Sequence, residues 1–165
     1  MSDVLGNADR VAIQQHRYGV IEMVDGRLHS IRFRRWPKWV TLLDVQWLGP
    51  RYHGRMPGDR CLIYYNQPLR FTNFLALSYV LSTRQGTLRT FHGGLTVLDE
   101  IARIKGSDAL LCDAWNSRIS DRLLARWGWE PHAPSRWHRN YIKRFYGHYP
   151  TQSAAAGEHG VETLG

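Results

Sequence analysis

Residues 109–132, ALLCDAWNSRISDRLLARWGWEPH, change their pattern twice within one short stretch. Ala109–Ala114 is a compact apolar run bounded by Ser107-Asp108, the signature of a buried strand. Asn116 or Ser117 is then placed to cap a helix, since a side-chain oxygen there can accept from a free amide of the first turn. Beyond it Ile119, Leu123 and Trp127 recur at i, i+4 with Leu124 beside them. Arg118, Arg122 and Arg126 fall on another face. That spacing predicts an amphipathic helix. Gly128 ends it, and Trp129–Pro134 reads as a strand. A strand, a helix and a return strand in this order point to a mixed α/β sheet rather than an all-β or all-helical domain.

Upstream, Leu95, Leu98, Ile101 and Ala102, with Val97 and Ile104, give a second helix. Arg103 and Lys105 suit its last turn and Gly106 its C-terminal stop. Asp99-Glu100 lies within it, where pairing with Arg103 is expected. Two starts stay open: Leu95, or a longer helix from near Thr87 that carries Gly93-Gly94 inside it at about 1 kcal/mol per glycine. Before that, Tyr18–Met23 and Leu28–Phe33 flank Val24-Asp25-Gly26, a β-hairpin signal. Lys38–Leu48 is rich in β-branched and aromatic residues and ends at Gly49-Pro50. Arg51–Arg60 reads as a loop and Cys61–Tyr65 as a buried strand. Phe71–Thr83 is ambiguous: its end from Ala76 favours a strand, and its start suits a helical turn. Downstream, Asn140–Tyr146 forms a last strand across the turn Ala133-Pro134-Ser135. The expected order is strands, helix, strand, helix, two strands, with a parallel central pair. Residues 1–10 read as a flexible start, 11–150 as one domain, and the small polar stretch 151–165 as a disordered tail.

The chain has 165 residues, enough for one domain with a real core. A hydrophobic content of 43% argues against a disordered chain. No apolar run approaches the roughly 20 residues of a membrane-spanning helix. The start MSDVLGNADR lacks the basic-then-apolar order of a signal peptide. Two cysteines, Cys61 and Cys112, sit in apolar runs and read as reduced core residues of a cytoplasmic protein. The net charge is +8, carried by 19 arginines and three lysines. Arginine suits phosphate, carboxylate and aromatic faces, so a phosphate-bearing partner is one reading. A GC-rich coding habit is the other.

With these elements in place, the C-terminal half resembles the GNAT (GCN5-related N-acetyltransferase) family. Asn116, Ser120, Arg122, Leu123, Leu124, Gly128 and Trp129 match the family's strand end, short helix and Gly-aromatic closure. The helix to Lys105 with Gly106 matches the preceding element. The resemblance covers residues 61–146 and is closest over 95–146. It implies a GNAT-like acyl-CoA N-acyltransferase fold, a mostly antiparallel sheet with a parallel splayed pair. It implies acetyl-CoA or another acyl-CoA as co-substrate, an amine of unknown identity as acceptor, and backbone N–H groups at a helix start as the pyrophosphate cradle. Two stretches could be that cradle: Ser82–Thr87 and Arg89–Gly94. The candidate cofactor-binding residues are therefore Leu81, Thr83, Arg84, Gly86, Arg89, Gly93, Gly94 and Asn116. The geometric corollary is that strands ending near Thr83 and Asn116 part from each other. Neither stretch has the family's Arg or Gln followed by alternating glycines. The position of the family's proton-donating Tyr falls near Leu124.

Each candidate also has a simpler reading. Asn116 serves as a helix cap, Arg84 and Arg89 as solvent-facing charges, and Gly86, Gly93 and Gly94 as turn residues. Asp113 or Glu130 is a candidate base at a strand end, or an ordinary ion-pair partner. Ser120 lacks a neighbouring His and Asp and reads as a small residue on a packed helix. Trp127 and Trp129 read as core. The eight histidines show no metal-binding spacing. Bases interleave with aromatics in Arg32–Lys38 and in Arg136–Tyr146, a composition that suits single-stranded nucleic acid. The alternative to an acyl-CoA-binding protein is thus a non-catalytic basic domain that binds RNA or another polyanion.

Overall fold

The structure, a computed structural model, describes residues 5–36, 57–113, 119–132 and 139–150. The expected strand Lys38–Leu48, most of the loop that follows it, Asn116, the turn at 133–135 and the tail 151–165 lie outside the described residues. The elements are helix α1 (Asn7–Gln15), strands β1 (Tyr18–Val24), β2 (Arg27–Arg34), β3 (Arg60–Asn66) and β4 (Phe74–Ser82), helix α2 (Leu88–Lys105), strand β5 (Ala109–Asp113), helix α3 (Asp121–Arg126), and strands β6 (Glu130–Pro131) and β7 (Asn140–Arg144). The seven strands form one mixed sheet in the order β2-β1-β3-β4-β5-β7-β6. Neighbours are antiparallel except β4 and β5, which run parallel. The class is therefore mixed α/β, with the parallel pair in the middle of the sheet.

Local chemistry explains most boundaries. Asp25 and Gly26 both take positive φ, 50° and 77°. That is the primed turn whose twist matches a two-residue hairpin. Helix α2 starts at Thr87, whose side chain accepts from the Thr90 amide. It ends in a left-handed Gly106, with the Gly106 amide donating to Arg103 and the Ser107 amide to Ala102. Those two bonds satisfy carbonyls the helix leaves open. Of the two starts open in the sequence, the longer helix is the observed one.

Helix α2 lies across β1, β2 and β3 and reaches β5, with α1 packed on its outer side. The core joins Ile21, Met23, Ile63, Tyr65, Leu75 and Leu110 of the sheet to Phe91, Leu95, Leu98 and Ile101 of α2. Burying each large aliphatic side chain here contributes about 1.5–3 kcal/mol. Alternation sends Val20 and Leu62 to the opposite face, and a one-residue slip in β4 at Ser78 sends Leu81 there as well, forming a smaller cluster.

Four expectations need correction. Within the stretch expected to be a loose start, Leu5 is buried and α1 runs from Asn7, with Ile13 its one buried residue in nine, which leaves no visible period. Helix α3 begins later than Asn116 or Ser117, because Ser120 accepts from the Leu123 amide at 3.2 Å. Ser120 is therefore an exposed cap, not a packed residue, and Ile119 precedes the helix. Asp99 does not pair with Arg103. Glu100 takes Arg103 at 2.5 and 2.7 Å, whereas Asp99 is buried against Lys143 at 2.7 Å. A helical turn does not open Phe71–Thr83: β4 begins at Phe74.

Candidate functional site

Strands β4 and β5 pair only from Phe74↔Ala109 to Leu77↔Cys112. β4 continues to Ser82 along β3 with no described strand on its other side. The register with β3 slips at the same point: Tyr65 faces Leu77 while Tyr64 faces Tyr79, which leaves Ser78 as the extra residue of a β-bulge. A bulge interrupts the ladder and re-aims the backbone. The described pairing of the parallel strands thus ends at Leu77 and Cys112, one residue before the interrupted stretch of β4 and one before the last described residue of β5.

A cavity of about 360 Å³ occupies this opening. Ala76, Leu77, Ser78, Leu111, Cys112 and Asp113 line it, together with His132 and with Asn140 and Tyr141 of β7, which pair with Asp113 and Cys112 on the far side of β5 from β4. The lining draws on both faces of the sheet, as a gap between strands does. A second cavity of about 640 Å³ adjoins it on the face opposite α2, with Leu111 and His132 lining both.

Electrostatics narrows what these groups can do. Burial, with the nearby Asp113 charge, pushes the Cys112 thiol up to about 12. Cys61 likewise stands at about 12, through burial and then Asp59. Neither thiol is a thiolate at neutral pH, and both are free. Tyr141 donates to Asp121 at 2.7 Å and accepts from Arg139 at 3.0 Å, and Arg139 also bonds Asp121 and the Ile119 carbonyl. This ties the start of α3 to β7 beside the opening. Glu130, one of the two expected base candidates, is exposed and bonded to Arg144 at 2.6 Å. Asp113, the other, lines the inner cavity.

The start of α2 is already engaged by the chain. Asp59 accepts from the Thr87 amide at 2.8 Å, the Thr87 hydroxyl at 2.6 Å and the Thr90 hydroxyl at 2.5 Å. Burial alone raises its pKa, but these hydrogen bonds and the Arg89 charge outweigh it and hold the carboxyl below its ordinary value. The amides of Leu88 and Arg89 have no acceptor within the helix by construction.

The candidate residues separate into groups. Thr83 is buried and donates to the Gly58 carbonyl at 2.7 Å while accepting from the Arg60 amide at 3.1 Å. Leu81 packs against Leu62 and Val20. Gly86 closes the turn before α2, with its amide on the Thr83 carbonyl at 3.0 Å. A Cβ there would meet that carbonyl at 2.9 Å. Arg84 and Arg89 are exposed near the start of α2. Gly93 and Gly94 sit inside α2 rather than in a loop before it. They let the helix approach the hairpin: a Cβ on Gly93 would lie 3.1 Å from Met23 and 3.3 Å from the Gly26 carbonyl, and one on Gly94 would overlap Ile63. Asn116 lies outside the described residues. The structure thus gathers Thr83, Arg84, Gly86 and Arg89 around one helix start and sends Leu81, Gly93 and Gly94 into packing. Ser78, Leu111, His132 and Tyr141 were missed. Their only sequence signal is an unremarkable strand pattern, and a bulge or a parting strand leaves no mark in composition.

Among the described residues no group of three or more His, Cys, Asp or Glu is placed to hold a metal. No described helix is long and apolar enough to cross a membrane. No protein-family model matches this chain, and no curated protein or solved structure matches it either.

Proposed function

We propose that the chain is a GNAT-like protein that binds an acyl-CoA in the opening between β4 and β5 and transfers the acyl group to an amine. One observation carries the reading: the described pairing of β4 and β5 ends at Leu77 and Cys112, next to the bulge at Ser78 and beside a cavity. An acyl-CoA supplies the thioester: the amine attacks its carbonyl carbon directly, the C–S bond breaks as the amide forms, and CoA leaves as a thiolate that takes up the proton the amine loses. The neutral Cys112 argues against a thiolate relay. Backbone N–H groups near the bulge are suited to polarise the carbonyl oxygen. Asp113 and His132 border the same cavity and are the groups available to take the amine proton. Arg84 and Arg89 stand where phosphates would approach the α2 start. Asp59 occupies part of that cradle, so the nucleotide end has the Leu88 and Arg89 amides and the two arginines for anchorage.

A thermal-shift titration with CoA and acetyl-CoA tests the reading. At about 100 times its Kd a ligand stabilises by about 2.7 kcal/mol. For a domain of this size that is a rise of roughly 5–10 °C. No shift at millimolar CoA, together with salt-sensitive binding to single-stranded RNA, would instead favour the basic-domain reading that the +8 charge keeps open.

A further inference from the structure

We infer that the larger cavity takes the hydrocarbon tail of a medium- or long-chain acyl group whose thioester sits at the β4–β5 opening. This rests on the acyl-CoA reading above. The two cavities adjoin, with Leu111 and His132 lining both, so a chain that enters at Ser78 and Asp113 needs to pass only these two side chains to reach the outer cavity. The outer cavity is lined by Phe74, Ala109, Leu111 and Ile142, which alternation places on the sheet face away from α2. At its far end Phe71 and Tyr146 stand 62% and 76% exposed. Large aromatic side chains left in water around one cavity mark a surface that a ligand covers.

Two charged groups of this cavity are engaged by the chain: Asp108 accepts from Asn73 at 2.8 Å, and Arg144 is bonded to Glu130 at 2.6 Å. A chain tethered through its thioester needs no cation from the cavity. From Cys112 back to Ala109 the strand spans about 10 Å at 3.3 Å per residue. Phe71 and Tyr146 lie beyond that. An extended alkyl chain of roughly eight to twelve carbons, with bonds of about 1.5 Å, covers the distance.

The test is calorimetric titration of the full chain with CoA, acetyl-, butyryl-, octanoyl- and dodecanoyl-CoA, and separately with octanoyl-pantetheine. The expected result is an affinity that rises up to about fourfold per methylene and levels off near dodecanoyl. Phe71→Glu, at an exposed position, should flatten the rise beyond about eight carbons. Leu111→Arg should flatten it from butyryl onward. Tight CoA binding with equal affinity for every chain length overturns the inference and leaves the acyl-CoA reading standing. Octanoyl-pantetheine that binds in a Phe71-sensitive way, with CoA itself not binding, supports the apolar groove and overturns the nucleotide part of that reading. No binding by any of the series overturns both.

Discussion

Asp59 does for α2 what a bound anion does for other helices. Its carboxylate sits on the first turn, and its pKa lies below the ordinary value of 3.8. A depressed carboxylate stabilises the fold fully above its unfolded pKa and loses that contribution as pH falls through the lower folded value. Asp59→Asn is expected to cost about 1 kcal/mol at pH 7, the usual scale of a helix-start interaction. It should also shallow the acid limb of the stability curve below pH 4, which urea melts across pH 2–7 would show. Gly94 sets a second test at this scale. Gly94→Ala gains helix propensity of about 1 kcal/mol but drives a methyl into Ile63. A net loss is expected at first, and Ile63→Val in the same chain should recover part of it because the overlapping methyl is gone. A double mutant that loses the full sum of both single changes would defeat this account.

At the scale of elements, a buried ion pair joins α2 to β7. Asp99 is 6% exposed and bonds Lys143. Burial raises its pKa more than Lys143 lowers it, so water exclusion is the stronger influence. Removing one partner strands a charge, and Lys143→Met alone is expected to cost about 3–5 kcal/mol. Asp99→Leu with Lys143→Met should come close to the parent stability in chemical denaturation. At the other end of α2, Lys105 has its pKa pushed down to about 8 by burial and then by the charge of Arg17. The unfolded chain holds that proton up to about 10.5 and the folded chain releases it near 8. Stability is therefore expected to climb between about pH 8 and 10.5. Lys105→Met should remove that climb, as melts at fixed ionic strength can check. The legible elements were those with strong local signals: the Asp25-Gly26 hairpin, the Gly106 stop and the apolar stripe of α2. Helices α1 and α3 were misjudged because each buries one or two residues and is held by packing and capping, not by a period of its own.

Across the whole molecule, charge and architecture bear on function differently. If phosphates are the partner, raising salt weakens CoA binding modestly and RNA binding steeply, because an extended polyanion releases more counterions. Measured slopes of log Kd against log salt therefore separate the two readings of the arginine excess. The apolar run Ala109–Ala114, the crossover through a helix and the return strand were enough to specify a mixed sheet with a parallel pair, since these are local patterns that any tertiary context must respect. Arg84, Gly86 and Arg89 were also legible as a group near a helix start, because they lie within six residues of one another. The exit of Gly93 and Gly94 into helix packing was not, since it depends on how closely α2 approaches Met23 and Ile63. Nor was the place where the described pairing of β4 and β5 ends, the bulge at Ser78, or the adjoining cavities that Leu111 and His132 both line. Those depend on the register of strands far apart in the chain. The local sequence determines which residues extend or coil, and only the assembled sheet decides where two strands stop pairing and leave room for a ligand.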